Sequence, residues 1–387
     1  MPRLYLVPVL CLLHIIGLPS SSRAADDAFR FPPGKHGKGE LQYINGLPVL
    51  IVAGTPEEMG EQVATLAVKP GRRVLNYPKD LLAAFGAEAT WPALARVGAS
   101  MVPRFPADHR AELEAMSKTG IDREQLVVGN TMFDLKKVIA CSALIVEPAR
   151  SATQGPLLGR NLDYDSLGYI EYYSLVTIYR PEGKRAFAAI GFPGLVGCLS
   201  GMNDAGLCLG VLEVGSVQAG HKRFDVMGTP YALCYRRLLE ECATVEEAVK
   251  LLRSMKRTTI TNLAICDRQG GAIFEVTPDQ VVVRRPVEGI GPCTNHFCSQ
   301  ELKPDEQRNY FRTLERYATL DKSRQLRQLE VADVHRCLQD VSVAGYTLQS
   351  MIFEPATLRL HLSIGASPAA ALPPKVLELG PLLRNDE

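Results

Sequence analysis

The sequence predicts an α+β protein, and three observations carry that expectation. Between Thr55 and Phe133, apolar residues recur at helical spacing behind recognisable helix starts. From Val138 onward the chain changes to short apolar and β-branched runs punctuated by Gly, Pro, Asn and Asp, which is the pattern of strands and hairpins. A second helical block over residues 227–254 interrupts those strands before they return. Blocks of this kind pack as layers, because each helix or sheet has an apolar face to bury.

The elements follow in order. Arg3 gives a positive start, residues 4–18 form a short apolar core, and Ser22-Arg23-Ala24 supplies a small-x-small cleavage site, so residues 1–24 read as an export signal. That run is too short to span a bilayer comfortably, and no other segment approaches the length needed. The expectation is a secreted or periplasmic chain starting at Ala25, with Cys11 removed along with the signal. Residues 25–40 are an irregular lead-in. Residues 41–53 read as strand, turn, strand about Asn45-Gly46, a dipeptide suited to a tight hairpin. Thr55-Pro56-Glu57-Glu58 opens a helix to about residue 68: Thr55 caps it, Pro56 fits its first turn, and Glu58 reaches back to close a capping box. Further helices are predicted over 79–85, 91–101, 107–118 and 122–133, after which Asp134, Lys136 and Lys137 read as a solvated loop.

Strands are predicted over 175–180 and 185–190, joined by Pro181-Glu182-Gly183, and over 199–202 and 206–212 about Asn203-Asp204. Helices over 227–241 and from the Thr244 cap to about 254 precede strands over 258–267, 271–276 and 280–284. A helix opening near Asn309, a short one capped by Asp333, a hairpin over 348–353 and 357–364, and a proline-bearing tail complete the chain. The tail reads as a wrap or a loose end.

Hydrophobic residues are 46% and charged residues 22% of the 387, which suits a soluble globular protein with a large core in one or two domains. The net charge is +1 with no long run of one sign, which argues against nucleic acid or an anionic membrane as partner. Selectivity must therefore come from a pocket. Ten cysteines less Cys11 leave nine, none at Cys-x-x-Cys spacing, so no zinc site is predicted. No metal and no cofactor is expected.

Chemistry concentrates in residues 139–165. An apolar run over 138–146, a turn region holding Pro148, Gly155 and Pro156, and a returning strand with Arg160 and Asp163 make a β-hairpin. A hairpin brings its two ends together, so Cys141 meets Arg160 and Asp163. The cation favours thiolate, and the carboxylate orients what surrounds it. No His lies near. If the bond between Ala140 and Cys141 is broken, the new α-amine titrates at about 7.7–8.0 when unperturbed and can accept the thiol proton. Read alone, Cys141 also fits a small buried hydrophobe in a strand, the commoner fate of such a residue.

Four stretches widen the reading: Cys141-Ser142-Ala143-Leu144-Ile145-Val146, Gly159-Arg160-Asn161-Leu162-Asp163-Tyr164, Gly201-Met202-Asn203-Asp204-Ala205-Gly206-Leu207 and Cys293-Thr294-Asn295-His296-Phe297. In this order they resemble the N-terminal nucleophile hydrolases of the choloylglycine hydrolase, acid ceramidase and acyl-CoA:6-aminopenicillanate acyltransferase group, over most of residues 141–316. The resemblance implies a four-layer α-β-β-α sandwich and self-cleavage before Cys141. Residues 25–140 become a mainly helical α chain or propeptide and residues 141–387 the catalytic β chain, two pieces that can stay associated. It implies Cys141 as nucleophile, Arg160 and Asp163 as its downstream pair, and Asn203 and Asn295 as oxyanion donors. An active-site arginine is placed at Arg312, which fits the spacing better than Arg316, although Asn309 stands where the family has Ser. From the residues themselves, Asn203 reads equally well as a turn residue, and His296 is expected to be structural.

The implied partner is a small-molecule N-acyl amide, whose acyl group passes through a thioester on Cys141 to water or to an acceptor amine. Bile-salt, N-acylethanolamine, ceramide and β-lactam branches share this core, and these motifs do not separate them. Two other classes stay open. A non-catalytic secreted binding protein of the same fold should have lost at least one of Cys141, Arg160, Asp163 and Asn295. A papain-like cysteine protease requires a Cys at a helix start, with His and Asn far downstream.

Overall fold

The computed structural model describes residues 29–135, 140–153 and 155–384. Residues 1–24, read above as an export signal and including Cys11, and Lys136 and Lys137 lie outside the described residues. Three strands come first, β1 (Gly34–His36), β2 (Gly39–Ile44) and β3 (Leu47–Gly54), with Asn45 and Gly46 both at positive φ in the hairpin turn. Five helices follow, α1 (Pro56–Val63), α2 (Tyr77–Ala84), α3 (Trp91–Met101), α4 (Ala107–Lys118) and α5 (Arg123–Leu135). Thr55 and Glu58 form the predicted capping box at the start of α1.

The hairpin β4 (Ala140–Val146) and β5 (Leu157–Asp163) leads to β6 (Leu175–Pro181), β7 (Phe187–Gly191), β8 (Ser200–Asn203) and β9 (Cys208–Glu213). After α6 (Tyr231–Glu241) and α7 (Val245–Ser254) come β10 (Thr261–Cys266), β11 (Gly271–Val276), β12 (Val281–Arg284) and β13 (Ile290–Cys293). The chain ends with α8 (Thr313–Asp321), α9 (Val331–Asp340), β14 (Thr347–Glu354), β15 (Arg359–Ile364), β16 (Lys375–Glu378) and α10 (Leu379–Leu383).

These strands form two sheets, one of ten in the order β1-β2-β3-β6-β7-β8-β9-β10-β11-β12 and one of six in the order β13-β4-β5-β14-β15-β16. Strand alternation shows how they stack. On β5, a side chain at Gly159 would strike Val334 and Leu338 of α9, whereas the next residue, Arg160, points to Gly210 of β9. On β8, Ser200 faces Arg160, whereas a side chain at Gly201 would strike Leu239 of α6. A line through the molecule therefore crosses α9, the small sheet, the large sheet and α6. The protein is an α+β four-layer α-β-β-α sandwich, with the main core between its sheets.

The segment before Cys141 is mainly helical, and its predicted strand pair belongs to the large sheet, where β3 pairs in parallel with β6. Propensity along the chain shows strands, but not which distant strand they adjoin. Of the two readings of the tail the wrap holds, because β16 pairs with β15 and its Leu377 is buried.

Between α4 and α6 lies a buried ionic network. Arg236 pairs with Glu112 at 2.7 Å and with Glu240 at 2.7 Å, while Glu240 also receives Lys184 at 2.8 Å and the Nε2–H of His109 at 3.0 Å. Removing one member leaves the others charged and unpaired away from water. Arg236→Ala is expected to destabilise the fold by about 3–5 kcal/mol, read from denaturant unfolding. Burial pushes His109 down to about 4 from 6.5, so the native state binds fewer protons than the unfolded chain between those values. The contribution of His109 itself should be full above pH 6.5 and fall toward pH 4, read as the difference in unfolding free energy between wild type and His109→Gln at the two pH values.

Candidate active site

Hairpin register brings the proposed groups together. Cys141 stands opposite Leu162, Ala143 opposite Arg160, and Ala140 opposite Asp163. Cys141 N, where a chain cleaved after Ala140 would carry its α-amine, lies inside β4. Arg160 is fully buried, with Nη2 3.4 Å from Cys141 Sγ and 2.6 Å from the carbonyl oxygen of Val211. Its Nη1 donates to Leu199 O at 3.0 Å and to the Ser200 hydroxyl. The guanidinium is thus held by oxygen dipoles and left facing a thiol. Burial pushes that thiol up to about 11, against the pull of Arg160. At neutral pH Cys141 is protonated, and its nucleophilicity depends on a base.

Asp163 is the second buried charge. A bulge between Thr347 and Gln349 leaves Thr347 opposite Asp163, and the Thr347 hydroxyl donates to Oδ1 at 2.6 Å. Asp163 Oδ2 is buried with no hydrogen-bond partner among the described residues. Burial raises this carboxyl to about 6, opposed by Arg316, Thr347 and Arg160.

Asn295, just past β13, lies across from the nucleophile. Its Oδ1 accepts from Cys141 N at 2.9 Å and from Arg316 Nη2 at 2.6 Å, its Nδ2 donates to Glu213 O at 2.9 Å, and its own N–H donates to Thr313 Oγ1 at 2.9 Å. Thr313 Oγ1 also meets His296 Nδ1 at 2.9 Å, and burial holds that imidazole down at about 4. His296 is placed as a structural residue, and Cys141 sits in a strand, which departs from the papain-like arrangement.

Two expected residues are not brought into this cluster. Arg312 is exposed and left-handed, with φ 53°, at the cap of α8. The helix starts at Thr313, not near Asn309, because Phe311 and Arg312 both take positive φ. Its buried stripe is then Thr313, Arg316 and Leu320, at helical spacing. Arg316 therefore takes the place given to Arg312: Nη1 donates to Cys141 O at 2.5 Å and to Ser142 Oγ at 2.8 Å. Asn203 is a turn residue. Its Nδ2 donates to Leu239 O and Cys242 O, its Oδ1 accepts from the N–H groups of Ala205 and Leu207, and its own N–H bonds Leu207 O. Both kinds of donor that an oxyanion would need are already used.

Glu213, Tyr231, Thr313 and Thr347 escaped the sequence reading. Glu213 lies at the end of β9 and accepts from Tyr231 OH at 3.2 Å, both side chains buried. A carboxylate in an otherwise apolar strand end was the available signal. Among the described residues no group of three or more His, Cys, Asp or Glu side chains is placed to hold a metal ion, and no helix is long and apolar enough to cross a membrane.

The sequence profile of the acyl-coenzyme A:6-aminopenicillanic acid acyl-transferase family matches residues 150–366, more than half of the chain. The chain belongs to that family. The matched region holds Arg160, Asp163, Asn295 and Arg316 and begins after Cys141. Solved structures with a similar fold include two variants of conjugated bile acid hydrolase from Clostridium perfringens, each 15% identical over 62% of this chain and 93% of theirs, with TM-scores of 0.43 and 0.46. Another is the N-acylethanolamine-hydrolyzing acid amidase ortholog of Caenorhabditis elegans, 15% identical over 56% of this chain and 93% of that one, with a TM-score of 0.43. Penicillin V acylase from Agrobacterium tumefaciens is 16% identical over 62% and 78%, with a TM-score of 0.36. No curated protein matches the chain. Membership places it among N-terminal nucleophile enzymes, acyltransferases and amide hydrolases.

The two arginines are separable by experiment. Arg316→Ala is expected to lower turnover of an accepted N-acyl amide by about 100-fold or more, and Arg312→Ala by no more than about threefold. Asn203→Ala should lower the unfolding free energy by about 1–3 kcal/mol and leave turnover of the folded protein unchanged.

Proposed function

We propose that this chain cleaves itself before Cys141 and then uses that residue to take the acyl group from a small N-acyl amide. The observation that carries the reading is the buried, unpartnered Oδ2 of Asp163, on the residue paired with Ala140 at the bond in question. A buried carboxylate oxygen without a donor is unfavourable, and an ammonium group released at Cys141 would satisfy it. Its companion fact is the thiol near 11, which requires a base that the surrounding side chains do not supply.

In the first reaction Sγ adds to the Ala140 carbonyl, the C–N bond breaks, and the thiol proton goes to the departing nitrogen. Water then hydrolyses the thioester, leaving a carboxylate on Ala140 and a free thiol and amine on Cys141. In turnover the amine takes the thiol proton, sulfur attacks the substrate carbonyl, and the same proton leaves on the released amine. Water or an acceptor amine clears the thioester. Asn295, whose side chain touches Cys141 N, is the candidate oxyanion donor, Arg160 stabilises thiolate, and Asp163 holds the ammonium form of the base. Arg316 fixes the carbonyl of Cys141 and the amide of Asn295. We place this activity in an exported protein, on the signal read in residues 1–24.

An apolar cleft favours an apolar acyl group. It is lined by Leu75, Pro78, Phe133, Tyr164, Phe192 and Leu195, with Gly129 of α5 also on its wall. Tyr164 follows Asp163, on the face of the small sheet shared by Leu162 and Arg160. This wall comes partly from before residue 141, so the two products must stay together to bind substrate.

N-terminal sequencing of active protein on a denaturing gel should give Cys-Ser-Ala for the larger fragment, and Cys141→Ala should stay intact with no turnover. An intact wild-type chain that turns nothing over would instead support the binding-protein reading. A screen of N-acyl amides differing in chain length and head group, with and without an added acceptor amine, identifies substrate and reaction. A side chain at Gly129 would meet nothing within 4 Å. Gly129→Phe should therefore fill the cleft without unfolding α5, raising KM for long acyl chains by about tenfold or more while leaving processing intact, since Gly in a helix interior is itself unfavourable.

A further inference from the structure

The clue lies on the upstream side of the bond. Asp134, expected in a solvated loop, is 3% exposed at the last turn of α5. A carboxylate there opposes the dipole of its own helix, whose last turn carries no basic residue. It is used elsewhere. Asp134 Oδ1 accepts from the N–H of Tyr231, the first residue of α6, at 3.1 Å, and from the hydroxyl of Thr258. The residue before α6 is Pro230, which provides no side-chain cap, so the capping group of this 11-residue helix comes from the chain segment ahead of Cys141.

The contacts continue to the other side of the bond. Tyr231 OH donates to Glu213 Oε1 at 3.2 Å, Glu213 O accepts from Asn295 Nδ2 at 2.9 Å, and Asn295 Oδ1 accepts from Cys141 N at 2.9 Å. Asp134 and Cys141 are therefore tied together twice, once by the chain between them and once by this relay through α6, β9 and Asn295. Every side chain in it is buried, where such hydrogen bonds are least exposed to competition from water.

We propose that Asp134 is a positioning residue for self-cleavage: by capping α6 it fixes where the chain enters β4 and so holds the Ala140 carbonyl against Cys141. This rests on the self-cleavage reading above. Once the bond is cut, Asp134 no longer shares a chain with Cys141 and keeps only the relay, whose Asn295 end is held as well by Arg316 and Thr313, so its loss displaces the nucleophile far less. Processing and turnover should therefore respond differently.

The test follows conversion of newly made full-length chain to the fragment beginning at Cys141, then measures turnover per cleaved molecule after conversion is complete. Asp134→Ala should slow conversion by about tenfold or more, since two buried hydrogen bonds, from Tyr231 N–H and the Thr258 hydroxyl, are lost together. Asp134→Asn keeps an acceptor oxygen and should stay within about threefold of wild type, and Thr258→Val should slow conversion by an intermediate factor. Turnover per cleaved molecule should remain within about twofold for all three. Conversion of Asp134→Ala at the wild-type rate, or a fall in turnover parallel to the fall in conversion, overturns the proposal. If Asp134→Ala yields no folded chain, Thr258→Val decides, and a wild-type rate for it overturns the proposal too. A wild-type chain that never yields the Cys141 start defeats the parent reading, whereas normal processing in the variants defeats this inference alone.

Discussion

A guanidinium with almost no access to water sits between two β-sheets, and the site is arranged around keeping it there. Desolvating Arg160 costs several kcal/mol, offset by the carbonyls of Leu199 and Val211 and the hydroxyl of Ser200. Room for it exists because β9 has no side chain at Gly210, where a Cβ would lie 2.6 Å from Arg160 Cδ. The large sheet thereby supplies both oxygen ligands and space, and the small sheet supplies the cation and the thiol it faces. Neither sheet alone makes the site.

The N-terminal portion is built into the same body. Its β3 continues the large sheet through β6, its α5 lines the apolar cleft, and its α4 contributes Glu112 and His109 to the ionic network around Arg236. A cut before Cys141 would sever a connection within one core, not release a separate domain. The charges on α4 would then have strong reason to keep their partners on α6, because separation would leave them buried or exposed without compensation.

Much of this was legible along the chain. Short-range signals carried the helices that begin with Thr55 and Thr244, the turn at Asn45-Gly46, and the hairpin that joins Cys141 to Arg160 and Asp163, because each depends on residues a few positions apart. Arg316 was ranked behind Arg312 for a local reason of the opposite kind: two consecutive residues in the left-handed region delayed the start of α8 and rotated the buried stripe away from Arg312. Asn203 misled because a turn residue and an oxyanion donor are the same side chain in one dimension. Only the neighbouring carbonyls of Leu239 and Cys242 show where its amide is used.

By itself, the sequence determined the α+β layering, the nucleophilic cysteine as candidate and the pair of charges facing it, since periodicity and a hairpin's closure act over short distances. Tertiary structure alone decided which arginine reaches Cys141 and how β1 to β3 join the large sheet. It also decided that Asp134 is buried against α6 and that Asp163 keeps an oxygen without a donor. Those outcomes depend on contacts between residues far apart in the chain, where burial and hydrogen-bond satisfaction, not local propensity, select the arrangement.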